Sequence, residues 1–441
     1  MILKMSKTYK IQSRLYLVVF CVTVLLSTAF MGIPAAYASS TDENIEEVGD
    51  WLQFIIPAAG LVGTYIADDE EGRYQFWKNY ASSIAITTIA KGIYSKTRPS
   101  SRNKASFPSG HTTSAFAGAG FIDQRYGHLW GSLAYAAAAF VGWSRVHSDN
   151  HFADDVLAGA SVGLFNSWYW VSPHKSNVSL MPLVKDDGMG VMISVQDPTA
   201  IKEDQIEKGK RRRKFRYEMD FGWAFLQKNE ITAPASTGTT IDLADFNQND
   251  DQLTSAAAYL DWFITDHHTL LFGFWPLESR DTGTFSQPTN FNGVIFPANT
   301  PVNSSWRHYY LDVMYYYDFF NKSRWDFRLG IGVTGQWTNF RLATTDGSQF
   351  SKVEDSVILP LVHIGGGINI TPKWNVDASV TGMYLDTDKY FQGSLTARYQ
   401  FSKRWNAGIG IGNYSRDIET SKLIEKFRYD TLYLTVSHTF F

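Results

Sequence analysis

The sequence of residues 325–334, WDFRLGIGVT, alternates between apolar side chains and polar or glycine positions. A period of two indicates a β-strand with one apolar face, and the tryptophan at its start suits a membrane interface. The same alternation recurs at residues 217–225, 309–319, 374–384, 391–401 and 405–411. The pattern therefore predicts an antiparallel β-structure that occupies the C-terminal half of the chain, from residue 216 to residue 441.

The connections between these segments alternate between short and long. Short polar turns fall at residues 265–266, 321–322, 371–372 and 402–403, whereas long polar loops occupy residues 228–252, 278–304, 343–354 and 416–426. Short turns at one end and long loops at the other are typical of a transmembrane β-barrel. We count about ten strands, and an even number leaves both barrel ends on the periplasmic side of an outer membrane. Alternation alone does not separate such a barrel from a soluble β-sandwich.

The first 38 residues have the three parts of an export signal. A positive segment that ends at Arg14 precedes an apolar run, Leu15 to Ala29, and Ala36-Tyr37-Ala38 forms a small-residue cleavage site. An uncleaved membrane anchor is the alternative interpretation of the same segment. The chain has one cysteine, Cys21, within the apolar run, so disulfides and thiol chemistry are excluded from the mature protein.

Between the signal and the strands, the sequence predicts an all-α helical domain at residues 39–175 and a connecting segment at residues 176–215. The connecting segment contains a predicted hairpin, which forms either a separate unit or the first barrel pair, and a polar linker. Its basic run, residues 208–214, suits anionic lipid head groups and a solvated linker equally well. The net charge of −3 gives no general attraction to nucleic acid.

Six side chains able to handle a phosphoryl group lie between residues 91 and 155. They are Lys91, Arg98, His111, Arg145, His151 and Asp155. The cations can hold phosphoryl oxygens, while His111 follows Ser109-Gly110 at a helix start, where backbone N–H groups favour an anion. His151 and Asp155 stand four apart, which makes them neighbours on one helical face, so the carboxylate can orient the imidazole. These residues predict a site in which one imidazole attacks phosphorus, the other protonates the leaving oxygen, and the cations hold the phosphoryl oxygens.

This set of residues resembles the three-part signature of the type 2 phosphatidic acid phosphatase (PAP2) and haloperoxidase superfamily. Its parts are Lys91 with Arg98-Pro99, then Pro108-Ser109-Gly110-His111, then Ser144-Arg145 with His151 and Asp155. The resemblance covers roughly residues 50–172 and implies a helical bundle. It implies that His151 is the nucleophile that forms a phosphohistidine, that Asp155 orients it, and that His111 is the general acid. It also implies a phosphate site, formed by Lys91, Arg98, Ser109, Gly110 and Arg145, with no metal ion and no cofactor.

The sequence thus predicts a metal-independent phosphatase that hydrolyses a phosphomonoester or a diphosphate and is tethered to an outer-membrane barrel. Candidate substrates are lipid A, phosphatidate, a prenyl diphosphate and a soluble phosphoester, and outer-membrane lipid is the expected surrounding. The catalytic domain is expected in the periplasm. Three alternatives stay open: a barrel that acts as a pore or adhesin with an accessory helical domain, a vanadium haloperoxidase, and a zinc site at His147 and His151.

Overall fold

The computed structural model describes residues 40–100, 103–174, 178–185, 188–195, 213–243, 252–320 and 324–440. The predicted export signal and most of the polar linker lie outside these residues. Within the described part, five helices precede a hairpin and a closed barrel. The predicted order, an all-α domain followed by an antiparallel barrel, is confirmed.

Five helices form the N-terminal domain: α1 (Ser40–Ile66), α2 (Glu70–Tyr94), α3 (Gly110–Tyr126), α4 (His128–His147) and α5 (Ala153–Trp170). Ser109 caps α3, because its hydroxyl accepts a hydrogen bond from the backbone N–H of Thr112. Small residues let the helices approach closely: a Cβ on Gly118 of α3 would lie 2.6 Å from the backbone nitrogen of Pro57 in α1. None of the described helices is both long enough and apolar enough to cross a membrane.

A hairpin follows the helical domain. Strands β1 (Val178–Lys185) and β2 (Gly188–Val195) pair antiparallel, with Val178 opposite Val195. They form a two-stranded sheet of their own, outside the sheet of the barrel. Of the two arrangements that the sequence allows, the hairpin is therefore a separate unit.

Ten long antiparallel strands form the barrel. They are β3 (Phe215–Thr232), β5 (Gln252–Phe263), β6 (His268–Thr284), β9 (Pro301–Asp318), β10 (Trp325–Thr344), β11 (Phe350–Asn369), β12 (Trp374–Leu385), β13 (Asp388–Gln400), β14 (Trp405–Glu419) and β15 (Ile424–Phe440). The short strands β4 (Thr240–Asp242), β7 (Thr289–Phe291) and β8 (Val294–Phe296) lie in the connections. Strand β15 pairs with β3, with Phe440 opposite Phe215, which closes the sheet. The closure confirms the predicted ten-stranded barrel and excludes the β-sandwich.

Two of the connections that the sequence predicts as long loops are short turns. The structure joins β10 to β11 through residues 345–349 and β14 to β15 through residues 420–423. These strands continue with polar residues that still pair, such as Asn339 with Glu354. The alternation of apolar and polar residues fades there, so a pattern based on it ends the strands too early.

The barrel lumen is filled at one level by aromatic side chains from opposite walls. Tyr310 of β9 hydrogen-bonds through its hydroxyl to Tyr429 of β15, and its ring stacks on Tyr414 of β14 with 5.5 Å between centroids. Tyr390 of β13 packs against Tyr414 at 5.3 Å. All four tyrosines are buried. The cross-lumen tyrosines therefore close the barrel interior at their level.

Helix α5 packs lengthwise against the outer surface of the barrel. At its start, Asp154 accepts a hydrogen bond from the Thr254 hydroxyl of β5 at 2.9 Å. Near its end, the ring of Trp168 lies 5.1 Å from that of Phe440 of β15. Buried residues of α5 and of the barrel wall belong to one hydrophobic cluster. The helical domain therefore lies beside the barrel and shares a core with it.

Candidate active site

Four helix ends meet at one place and carry five of the predicted site residues. Lys91 lies in the last turn of α2, Arg145 in the last turn of α4, and His111 in the first turn of α3. His151 lies just before α5, and Asp155 lies in its first turn. The structure therefore brings the three parts of the sequence motif together.

His151 is a buried imidazole held by one carboxylate. Its Nδ1 lies 3.4 Å from Oδ2 of Asp155, and its Nε2 is buried without a hydrogen-bond partner among the described residues. Burial lowers the pKa of His151 to about 4, although the hydrogen bond to Asp155 opposes this shift. The ring is therefore neutral at physiological pH, with one nitrogen held and the other free, as a nucleophile requires.

The contact between His151 and Asp155 does not come from a shared helical face, which the four-residue spacing predicts. Helix α5 begins at Ala153, and His151 lies in the preceding loop. The carboxylate of Asp155 turns back to accept the backbone N–H of Phe152 at 2.9 Å, which caps the helix and keeps Oδ2 beside the imidazole. The predicted neighbours meet, but through a helix cap.

Sequence reasoning missed Lys96, which holds the carboxylates behind His151. Its Nζ lies 2.7 Å from Asp154 and 3.0 Å from Asp155, and both carboxylates are buried. Ser106 completes the group by donating to Asp155 at 2.5 Å. Burial alone would raise the pKa of Asp155, but the charge of Lys96 and the hydrogen bonds from His151 and Ser106 hold it well below its usual range. Asp155 is therefore ionised when it orients the imidazole.

Sequence reasoning also missed Asp50, a carboxylate from α1 that His111 and Arg145 share. Its Oδ1 lies 3.1 Å from Nε2 of His111 and 2.6 Å from Nη1 of Arg145. Arg145 also donates through Nη2 to the backbone carbonyl of Glu46 at 2.6 Å. Burial and the charge of Arg145 lower the pKa of His111 to about 4, and the charge of Asp50 opposes this shift. The carboxylate of Asp50 therefore lies between the imidazole of His111 and the guanidinium of Arg145 and contacts both.

Lys91 and Arg98 bind the loops on either side of the histidines. The Nζ of Lys91 donates to the carbonyl oxygens of Ala105 and Pro108 at 2.6 Å each, and burial lowers the pKa of Lys91 to about 8. Nη1 of Arg98 donates to the carbonyl oxygen of Asn150 at 3.4 Å. Both cations thus lie at the site, and their contact with phosphate stays a prediction.

Ser109 and Gly110 form the start of α3. The Ser109 hydroxyl accepts a hydrogen bond from Thr112 Oγ1 at 3.0 Å, and the Ser109 backbone N–H donates to the carbonyl oxygen of Asp155 at 2.9 Å. Ser109 therefore holds α3 against α5, and its N–H is not directed at an anion. A Cβ on Gly110 would meet only Lys91 Cε, at 3.9 Å, so space is open at this helix N-terminus.

The described residues contain no group of three or more His, Cys, Asp or Glu side chains placed to hold a metal ion. His147, one half of the zinc alternative, stacks on Trp143 within α4 with 4.8 Å between ring centroids.

The two histidines predict that hydrolysis is faster in mild acid than at neutral pH. His151 must be neutral to attack, and it is neutral above its pKa of about 4. His111 must be protonated to act as an acid, and its pKa is also about 4. Between pH 7 and pH 5 its protonated fraction therefore grows about tenfold per unit as the pH falls. We expect kcat/KM for a phosphoester to rise by roughly 10–100-fold over this interval, measured in buffers of constant ionic strength.

The Asp50→Asn variant is the matched control for this pH profile. Because the charge of Asp50 raises the pKa of His111, its loss should move the alkaline limb of the profile to lower pH. The acid limb, set by His151, should stay in place. An alkaline limb that does not move, or a rate that rises with pH, would contradict the predicted role of His111 as the general acid.

The helical part of the chain is similar to a known class of proteins. Residues 76–177 match the model of the PAP2 superfamily. The match includes all three parts of the sequence motif, and it confirms the resemblance that those motifs show.

The chain is also similar to a curated relative. The lipid A 1-phosphatase of Porphyromonas gingivalis is 36% identical to this chain over 115 residues, and the match covers 23% of this chain and 26% of that protein. The chain thus spans about a quarter of the length of this relative.

Three solved structures are similar to parts of the chain. LpxE from Aquifex aeolicus has a TM-score of 0.27 and 19% identity, over 30% of this chain and 87% of that one. The outer membrane protease OmpT from Escherichia coli has a TM-score of 0.34 and 7% identity, over 52% of this chain and 99% of that one. The translocator domain of the autotransporter NalP from Neisseria meningitidis has a TM-score of 0.31 and 10% identity, over 53% and 90%. The barrel itself is established by the pairing of β15 with β3.

Proposed function

We propose that this protein is a PAP2-type phosphatase that removes a phosphate group from a lipid through a phosphohistidine. The observation that carries the proposal is the state of His151: its Nε2 is buried without a hydrogen-bond partner among the described residues, while Asp155 holds the opposite nitrogen. An imidazole with one nitrogen held by a carboxylate and the other without a partner has the arrangement that nucleophilic attack requires. His111 and Arg145, which share Asp50, lie at the same helix ends.

The proposed reaction has two steps. Nε2 of His151 attacks phosphorus, an N–P bond forms, and the bond to the leaving oxygen breaks as His111 delivers its proton to that oxygen. The phosphorylated ring is positively charged, and Asp155 stabilises it. Water then attacks phosphorus, the N–P bond breaks, neutral His111 accepts a proton from the water, and inorganic phosphate leaves. Arg98 and Arg145 stabilise the negative charge on the phosphoryl oxygens in both steps.

A lipid phosphate is the substrate class that the comparison supports. The chain is similar to a lipid A 1-phosphatase over 115 residues, and its PAP2 match carries both histidines. The same two-step chemistry would act on phosphatidate, on a prenyl diphosphate and on a soluble phosphoester. Direct measurement with each of them therefore decides the substrate.

Phosphate release from a matched set of substrates tests this proposal. We expect the purified full-length protein to hydrolyse lipid A with a kcat/KM at least about tenfold above that for phosphatidate, a prenyl diphosphate or a soluble aryl phosphate. Release should continue in the presence of a chelator, because no step uses a metal ion. Hydrolysis of the soluble ester alone would contradict the lipid proposal.

Vanadate added to the same assay separates the phosphatase from the haloperoxidase. Vanadate adopts the five-coordinate geometry of a phosphoryl transition state, so it should inhibit phosphate release. Oxidation of bromide that depends on added vanadate would instead favour the haloperoxidase.

The barrel is proposed to anchor the enzyme rather than to conduct solutes. Its cross-lumen tyrosines meet at the level of Tyr310 and Tyr414, and they leave the lumen filled there. A solute pore needs an open path along the whole lumen. The filled lumen therefore disfavours the pore alternative.

The outer membrane is the proposed location. The outward surface of β10 carries exposed apolar side chains, namely Leu329, Ile331 and Val333, and similar residues on β11 and β14 continue them into an apolar belt that suits acyl chains. The sequence predicts that the helical domain lies in the periplasm. Because α5 packs along the barrel wall, a position of this domain beside the apolar belt is a second candidate. Glu47 is exposed near the site. Labelling of a Glu47→Cys variant in intact cells with a membrane-impermeant reagent shows which side of the outer membrane the catalytic end faces.

A further inference from the structure

The outer surface of the barrel is not uniform around its circumference. On β10, β11 and β14 it carries exposed apolar side chains, among them Leu329, Ile331, Val333, Val362, Ile364 and Ile411. On β5 the outward positions include the small residues Ala256 and Ala258, and on β6 and β9 they include the charged residues Glu278 and Arg307. Charged side chains that face lipid destabilise a barrel. This part of the wall is therefore not suited to acyl chains.

The helical domain covers this part of the wall and pairs its charges. Glu278 accepts the backbone N–H of Ala153 at 3.2 Å and lies 3.2 Å from Nε of Arg307. Arg280, which also points outward from β6, pairs with Asp149 in the loop before α5. These pairs make the contact specific, because charged groups are buried only where their partners are in place.

The contact extends over the height of the apolar belt. Asp154 at the start of α5 bonds to Thr254, nine residues before β5 ends at Phe263. At about 3.3 Å per residue and a strand tilt near 40°, this is about 23 Å along the barrel axis from the end that carries the turn between β5 and β6. At that end, Trp168 of α5 packs on Phe440. The belt of such barrels is about 25 Å tall, so the catalytic end of the domain lies at the belt border farther from the turn between β5 and β6.

Two helices of the domain present apolar stripes to the outside. The stripes consist of Trp51, Ile55 and Ile66 on α1 and of Ile86, Ile89 and Ile93 on α2, and these side chains are 46% to 83% exposed. Within each helix the spacing puts them on one face. Soluble monomers rarely expose so much contiguous apolar surface without a partner for it.

The stripe on α1 has the dimensions of a lipid contact. Trp51 and Ile66 are separated by about 22 Å at a rise of about 1.5 Å per residue, close to the height of the belt. Charged residues, Asp68 to Glu71, begin two positions after Ile66, and Asp50 directly precedes Trp51. The apolar stripe therefore ends in charged groups at both borders, as a surface that crosses an acyl layer does.

We propose that these two stripes, together called the lipid face, contact the acyl chains of the bilayer that surrounds the barrel. The proposal rests on the proposed function and location, and it adds how the lipid reaches the site. A domain that replaces lipid along the height of the barrel wall meets the same lipid on its other sides, so the lipid face continues the apolar belt. The acyl chains of the substrate stay in the bilayer, and its phosphate reaches His111 and Arg145 at the belt border without extraction of the lipid.

Single cysteines that carry a bimane fluorophore test the lipid face. Cys21 is the only cysteine, so Cys21→Ser gives a background without thiols. Ile55→Cys and Ile89→Cys place the label on the two stripes, and Glu47→Cys and Glu71→Cys, at exposed acidic positions of the same helices, are matched controls. In liposomes with brominated acyl chains, we expect emission from full-length protein labelled at 55 and 89 to fall to about half of its value in unbrominated lipid. Emission from the controls should change by less than about a tenth.

Unquenched emission at both stripe positions would overturn the proposal. Iodide in the buffer then shows the cause, because it quenches labels that face water and not labels that a second copy of the chain or another protein covers. Quenching by brominated lipid does not depend on hydrolysis. Quenching in an inactive protein would contradict the proposed reaction and support the lipid face. Activity without quenching would support the reaction and contradict the lipid face.

Discussion

The His151→Ala variant should lose at least about four orders of magnitude in kcat while it retains its fold. Nε2 of His151 is buried, and the ring is neutral above a pKa of about 4, so this nitrogen is ready to attack phosphorus. Arg98 and Arg145 remain in the variant, so KM should change by less than roughly tenfold. The measurement is phosphate release by the purified protein, with circular dichroism to show that helices and strands are retained.

The His147→Ala variant is the matched control for the nucleophile. His147 lies four residues from His151 and stacks on Trp143, so its loss should change kcat by no more than about twofold. Mass spectrometry of rapidly denatured samples should show a phosphate adduct in the parent and in His147→Ala but none in His151→Ala. Parental hydrolysis by purified His151→Ala would show that the mechanism is wrong.

The Asp155→Asn variant should lose about 10³-fold in kcat with a nearly unchanged KM. The amide has almost the same shape, but it carries no charge, so it can neither fix the tautomer of His151 nor stabilise the positive ring that forms during attack. Lys96 would lose one of its two carboxylate partners, and we expect the free energy of unfolding to fall by roughly 1–3 kcal/mol. Kinetics and thermal unfolding measured on the same preparation separate the two effects.

The Asp154→Asn variant controls for the loss of charge beside Lys96. Asp154 pairs with the same lysine at 2.7 Å, but its other hydrogen bond comes from Thr254 on the barrel. Burial raises the pKa of Asp154 to about 7 even though Lys96 opposes the shift, so the neutral amide is a mild change near neutral pH. We expect less than a tenfold loss in kcat. Equal losses in both variants would mean that Asp155 acts through Lys96 and not through His151.

The residues of the motif could be predicted because short segments specify their chemistry locally. Helix ends then bring those segments together, with Lys91, Arg145 and His151 at one site. Asp50 has no local signal, since it reaches the site only when α1 packs against α4. Lys96 does have one: a third cation between Lys91 and Arg98 is more positive charge than a short loop needs, and it suggests a buried acidic partner.

The barrel could be predicted from alternation, but the ends of its strands could not. Glu278 looks like the start of a polar loop, although β6 continues to Thr284. The outward position of Glu278 is polar because the helical domain covers it, and no pattern within β6 records that contact. A sequence pattern reports whether a face meets water or apolar surroundings, and it fails where that face meets another folded domain.

The charged part of the outer wall also bears on biogenesis. An unpaired arginine that faces lipid costs up to about 1 kcal/mol near the border of a bilayer, so Arg280 would disfavour insertion of a bare barrel. The partner of Arg280 is Asp149 in the loop before α5, so this pair forms only when the helical domain lies beside β6. The helical domain precedes the barrel in the chain and is synthesised first. It would therefore act as an intramolecular chaperone that pairs Arg280 while these strands enter the bilayer.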